Sequence, residues 1–204
     1  DREATAADLK WLADPAEEPE PFGDGGTKMA WNTFNVVSIY PNGNPVMSDV
    51  NQRWVGDCCA CAVIASMAYL YPRFVKHIIK DNMDKTYTVT MYDPKGKQIS
   101  VGVGGDYFIG NSGDLGALGG RNKEVTWATI LEKAMIKWNQ IYQGSSNVGG
   151  IGTEYVSAIF TGDGESVGFG ANALIAEDLQ RAVEVSLKQG RLVIGGFTRS
   201  GEQV

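Results

Sequence analysis

An α+β fold is what this sequence predicts. Three observations carry that reading: four stretches have helical periodicity, one has the strict alternation of a β-hairpin, and a late apolar run reads as a further strand. No internal repeat is visible. The 204 residues suffice for one domain with a good core, and 43% hydrophobic content is ordinary for a globular protein. The net charge of −6 argues against nucleic acid as a main partner, which needs basic surface. No run reaches the length of a membrane span. The longest apolar stretch, Cys58 to Tyr71, contains Ser66 and ends at Pro72. No basic-then-apolar leader opens the chain at Asp1, so the compartment stays open between cytoplasmic and exported with a leader removed.

The elements follow in order. Asp1 to Trp11 reads as a short helix. LADPAEEPEPFGDGG, residues 12–26, is acidic and rich in Pro and Gly, so residues 1–26 are set apart as a lead-in or pro-segment with little core. Asn35 to Tyr40 reads as a short strand before the turn-rich PNGNP. Cys58 to Leu70 is apolar nearly all round, a buried helix with Asp57 as N-cap and Pro72 as stop. Arg73 to Asn82 places Phe74, Val75, Ile78 and Ile79 on one helical face. TYTVTMYDPKGKQISVGV alternates on both sides of a Pro-Lys-Gly turn. Glycines cluster over 102–120 and 144–170, which read as long irregular loops. Glu124 to Tyr142 repeats Trp127, Ile130, Leu131, Ala134 and Trp138 at helical spacing, with Gly144 as a stop. Glu177 to Gln189 is a last helix closed by Gly190, and the strand RLVIGGF follows.

All three cysteines, Cys58, Cys59 and Cys61, lie within four residues, so they make no secreted disulfide framework. Cys59 and Cys61 sit where small core residues are expected. Cys58 and Cys61 form a Cys-x-x-Cys, but SDVNQRWVGD before it is not the buried strand that a dithiol oxidoreductase needs. Zinc wants four ligands, and the single His77 has no suitable spacing. A third reading makes Cys58 a nucleophile. The first residue of a helix favours a thiolate through its unpaired N–H groups, and the Gln52 amide beside the Cys58 N–H would form an oxyanion hole.

Gln-x-x-x-Gly-Asp-Cys, here Gln52, Gly56, Asp57 and Cys58, resembles the active-site segment of the calpain family of papain-like cysteine peptidases. Ala62 to Pro72 resembles the family's central helix, and Tyr87 to Val103 its hairpin. WATILEKAMIKWNQIYQG is similar to its Trp-x-x-Leu-Leu-Glu-Lys-Ala segment, and Phe160-Thr161-Gly162 to the close of the first half of the core. SLKQGRLVIGGF resembles the opening of the second half. The resemblance spans about Trp31 to Phe197. It departs at Cys59, where the family has Trp, and at Arg53, where it has Gly.

The resemblance implies an α+β papain-like core, with a helical half over 27–162 and the beginning of a β-rich half over 163–204. It implies a cysteine endopeptidase acting on peptide or protein substrates, with Cys58 as nucleophile and Gln52 at the oxyanion hole and no organic cofactor. A peptidase of this kind needs a His base, placed roughly 130–150 residues or somewhat more beyond the Cys. That position falls after Val204, and His77 reads as a helix-surface residue. The expectation is a nucleophile-bearing fragment partnered by a C-terminal fragment that holds His and Asn. The alternatives are a non-catalytic module of the same fold, or the dithiol oxidoreductase. Calpain-like cores are often calcium-activated. Asp49 matches one ligand, carbonyls near Asn42 to Asn44 others, and Glu124 stands one position off register from another. Asp106, Asp114 and Asp163 are further acidic loop residues, and Trp31 to Tyr40 with the glycine-rich loops are expected to line the cleft.

Overall fold

Thr5 starts the first helix, α1 (Ala6–Ala13), through a capping box: its hydroxyl accepts from the Asp8 N–H at 3.2 Å, and the Asp8 carboxylate accepts from the Thr5 N–H at 2.8 Å. Arg2 grips the same carboxylate with both ends of its guanidinium and holds Asp8 well below the usual carboxylate range. A computed structural model of the chain describes residues 2–24, 27–110, 112–168, 170, 173–196, 198–199 and 202–203. The acidic stretch after α1 has little core of its own. It lends the buried Leu12 to the main core and lies as a strap across α4 (Trp127–Tyr142). Lys137 Nζ donates to Asp14 O, and Lys133 pairs with Glu18 at 2.6 Å. Gln140 Oε1 accepts from the Glu20 N–H, and Trp31 Nε1 donates to Pro19 O.

The apolar run gives α2 over Cys58–Leu70, the expected span, and it buries Ala60, Val63, Ile64, Met67 and Ala68. Pro72 does more than stop it. Proline's fixed φ suits a first helical position, and Pro72 opens α3 (Pro72–Ile78). The expected helix to Asn82 ends early. Ile79–Asp81 forms β4, which pairs antiparallel with β5 (Tyr87–Tyr92), so ladder hydrogen bonds replace another helical turn. β5 and β6 (Gln98–Val103) make the expected hairpin, from Tyr87 opposite Val103 to Tyr92 opposite Gln98. Gly96, at φ +77°, turns it. The β4-β5-β6 sheet turns Tyr87, Val89 and Met91 toward α4 and the core.

Four further expectations are corrected. Asn35 to Tyr40 is not a strand: the strand lies earlier, as β3 (Ala30–Thr33), because Trp31 stacks on Phe108 with ring centroids 3.7 Å apart. Its partner, β7 (Asp106–Ile109), lies inside the first glycine cluster. The second cluster hides α5 (Thr153–Thr161), whose Val156, Ile159 and Phe160 are buried and which Gly162 ends at φ +75°. The last helix, α6 (Ala176–Lys188), is close to its predicted span. Of RLVIGGF, residues 191–196 lie in no strand, and Phe197 is outside the described residues. No described residue from 161 to 196 is buried. Two short pairs complete the set: β1 (Gly23–Asp24) with β2 (Thr27–Lys28), and β8 (Thr198–Arg199) with β9 (Glu202–Gln203). Among the described residues no single helix is long and apolar enough to cross a membrane.

The first glycine cluster positions the candidate site. A Cβ on Gly110 would meet the Trp54 indole at 2.6 Å, and one on Gly116 would meet the backbone of Gly110 at 2.9 Å. Without side chains there, Gly110 and the 112–120 segment close against the loop before α2. Trp54 N–H donates to Gly116 O, and Asn51 exchanges backbone hydrogen bonds with Gly119. Arg53 Nη2 adds a bond to Gly120 O at 2.5 Å.

Candidate functional site

Cys58 is the first residue of α2 and is half-buried, at the end of a helix whose other turns are mostly enclosed. Its backbone N–H belongs to the first turn, where donors lack intrahelical partners and the dipole favours negative charge. The preceding loop is pinned on two sides, by the 112–120 shelf and by the Gly150 N–H, which donates to Gly56 O at 3.3 Å. Gln52 is in the same loop, exposed, and its Nε2 donates to Val55 O at 2.8 Å. A primary amide has two hydrogens, so this bond fixes the side chain and leaves the second N–H for another acceptor.

No disulfide joins Cys58, Cys59 and Cys61. The Cys59 thiol is in hydrogen-bond contact with Cys58, and burial and the Cys58 neighbour push it up. The Cys61 thiol donates to Asp57 Oδ1 at 3.5 Å, and burial together with that carboxylate holds it strongly in the protonated form. That is the opposite of the low-pKa thiolate on which dithiol exchange depends.

Asp57 is not the expected N-cap. Its carbonyl accepts the first helical bond, from the Cys61 N–H at 3.0 Å, but its side chain makes no cap and is 1% exposed. It turns inward, toward Cys61 and toward Glu132 on α4. Burial pushes the Asp57 carboxyl up to about 6, and it pushes Glu132 up as well, with the Asp57 charge adding to the effect. Sequence reasoning missed Glu132 as a neighbour of the site. It was legible only as one helical carboxylate in the WATILEK run.

The other acidic residues are spread apart. Asp49 is buried as the last residue of a 3₁₀ turn (Met47–Asp49) and accepts from Trp127 Nε1 at 2.7 Å, from Asn42 Nδ2 at 2.8 Å and from the Val46 N–H at 3.3 Å. The Gly43 carbonyl, between Asn42 and Asn44, is taken by the Lys76 ammonium at 2.7 Å. Glu124 precedes α4 rather than starting it, and its Oε2 is sealed without a hydrogen-bond partner. Among the described residues no group of three or more His, Cys, Asp or Glu side chains converges as a metal site. Calcium wants six to eight oxygens. Here an amide and an indole already occupy the Asp49 carboxylate and an ammonium the Gly43 carbonyl, so Asp49 as it stands does not fit that ion. Asp106 accepts from Thr33, Asp114 pairs with Lys123, and Asp163 accepts from the Glu165 N–H.

His77 is exposed on α3. Trp31 packs on Phe108 and beneath Lys133, on the strap side of the molecule. Two adjoining cavities, of about 300 and 330 Å³, share Trp138, Gln143 and Tyr155, and neither is lined by Cys58. The first borders the Asn147–Gly152 loop that reaches Gly56. The site thus rests on the α2 start, the Gln52 loop and the buried acids behind them.

A family model described as calpain family cysteine protease matches residues 31–202. None of the curated proteins compared with the chain matches it.

Proposed function

Because the chain belongs to the calpain family of cysteine proteases, we propose that it supplies the nucleophile half of a peptide-bond hydrolase. Cys58 Sγ attacks the scissile carbonyl and forms an acyl-enzyme, and water then releases the acyl group. The Cys58 N–H and the second N–H of Gln52 stabilise the oxyanion, a contribution commonly of about 3 kcal/mol in such sites. A His base takes the thiol proton and returns it to the leaving amine, and an Asn orients the ring. Both come from a C-terminal polypeptide outside these residues, since His77 sits exposed on α3. The observation that carries the reading is the place of Cys58: half-exposed, first in a buried helix, and behind a loop fixed by the glycine shelf.

The test is made on the native protein. Denaturing intact-mass analysis and sequencing are expected to find the His- and Asn-bearing polypeptide with this chain. Peptide hydrolysis is expected to fall about 10³-fold or more in Cys58→Ala, and to survive in Cys61→Ser. A protein that contains this chain alone, or a Cys58→Ala variant that still cleaves peptides, overturns the reading.

The reading requires no calcium at Asp49, whose acceptors are already filled. Removing calcium with a chelator is expected to leave the unfolding temperature of the full chain unchanged. A rise of several degrees on adding calcium would instead support a site at Asp49 and Glu124.

A further inference from the structure

The second cavity, of about 330 Å³, has no part in the proposed chemistry. It opens between the turn of the β5–β6 hairpin and α5. Three aromatic side chains line it, Tyr92, Trp138 and Tyr155, together with two carboxylates, Asp93 and Glu154. No Lys, Arg or His lines it among the described residues.

The fold fixes the inner walls. Trp138 is buried, and its Nε1 donates to Tyr92 O at 2.7 Å, which ties α4 to the end of β5 and spends the one donor of the indole. The Tyr92 ring lies against Gly162, where α5 ends at φ +75°. A Cβ on Gly162 would stand 2.8 Å from that ring. Asp93 Oδ1 accepts from the N–H groups of Lys95 and Lys97, both at 2.9 Å, and so shapes the hairpin turn. The Lys95 ammonium leaves that turn to pair with Glu3 at 3.0 Å. The mouth is more open. Glu154, in the first turn of α5, is exposed and pairs with no base among the described residues. Tyr155 beside it is 51% exposed.

This lining selects by charge and by shape. Aromatic faces attract a cation through the ring quadrupole, and carboxylates attract it directly. The ring bodies cover an aliphatic stem, which a long basic side chain brings with it. An anion would meet two like charges. A neutral apolar group would strip water from the carboxylates and return no partner. The volume lies at the small end of the range of about 300–1,000 Å³ for ligand pockets, which suits one side chain rather than a folded domain.

We propose that this cavity binds an arginine or lysine side chain of a peptide, with the charge at Asp93 and Glu154 and the stem against Tyr92 and Tyr155. Such binding does not depend on Cys58, and it holds whether or not the native protein cleaves peptides. In a peptidase it recruits substrates that carry a basic residue away from the scissile bond, since Cys58 does not line the cavity.

The test is isothermal titration calorimetry on the full chain. The probe is an acetylated and amidated heptapeptide with one arginine among glycines and serines. A second peptide has citrulline in place of the arginine, which keeps the shape and removes the charge. The arginine peptide is expected to bind saturably, and the citrulline peptide about fivefold more weakly or not at all. Glu154→Gln and Tyr155→Ala are each expected to weaken the arginine peptide by about fivefold. Both positions are exposed, so the fold is expected to stay intact, as circular dichroism checks. The chain carries a net charge of −6, so general attraction needs its own control. Glu177→Gln removes the same charge from the first turn of α6 and is expected to leave the affinity unchanged. Three results overturn the assignment: no saturable binding of the arginine peptide at millimolar concentration, equal binding of the citrulline peptide, or a loss in Glu177→Gln as large as that in Glu154→Gln.

Discussion

Trp127→Ala is expected to lower the unfolding free energy by about 4 kcal/mol or more, the largest single loss in this chain. The ring is fully buried at the start of α4 and is among the largest enclosed side chains. Truncating a buried aromatic costs about 3–5 kcal/mol through lost contacts and the cavity left behind. A second loss adds to it. The indole N–H donates to Asp49 Oδ2 at 2.7 Å, and without it a buried carboxylate loses its shortest donor, worth about 1–3 kcal/mol. Against a usual total of about 5–15 kcal/mol, this brings the chain close to unfolding at ambient temperature. Trp127→Phe separates the two parts, since it keeps most of the ring and removes the donor. A loss of about 2 kcal/mol is expected for it, read from urea midpoints by far-UV circular dichroism. A Phe variant as stable as the parent would mean that the Asp49 bond contributes nothing.

The second large effect is at Gly102. Lys137 Nζ donates to Gly102 O and to Asp14 O, both at 2.8 Å, and so clamps the strap to the sheet. A Cβ on Gly102 would run into Ala13 O and lie 2.7 Å from Pro15 N. These are backbone atoms and cannot turn aside. Gly102→Val therefore lifts the strap rather than adjusting it, at an expected cost of about 3 kcal/mol. It also uncovers Lys137, whose ammonium burial now lowers to about 8. Limited proteolysis is the sensitive readout: the Asp14–Glu20 stretch is expected to be cut at least tenfold faster in the variant, while the hairpin stays protected. Equal cutting would show that the strap is not held at that point.

Much of the fold was legible where one pattern dominates a segment. The apolar run of α2 gave its two ends, and the alternation on both sides of the Pro-Lys-Gly turn gave the hairpin. Legibility failed where two signals compete. Glycine density hid β7 and α5, because the glycines serve close approach to Trp54 and a left-handed helix end rather than long irregular loops. Pro72 reads as a stop or as a start with equal right, and only the pairing of β4 decides. At the site, Cys58 was proposed from its place at the start of a helix and Gln52 from its place a few residues upstream. The inward turn of Asp57 was not, because an acid before a helix reads as a cap. Asp57 faces Glu132, 75 positions away in the sequence. Such a partner is set by how α2 and α4 meet, which no short window records.

The strap has a consequence in time. Its bonds join residues 2–20 to residues 133–141, across 115 to 139 positions of chain. A ribosome adding about 5–20 residues per second needs on the order of ten seconds to cover that interval. For that period the earlier segment has nothing to hold, and Leu12 and Trp11 stand in water. The carboxyl-rich run that follows them keeps the waiting segment soluble, and the same Glu18 later meets Lys133. The last turns of α4 to emerge thus close a ring that the residues made before them left open.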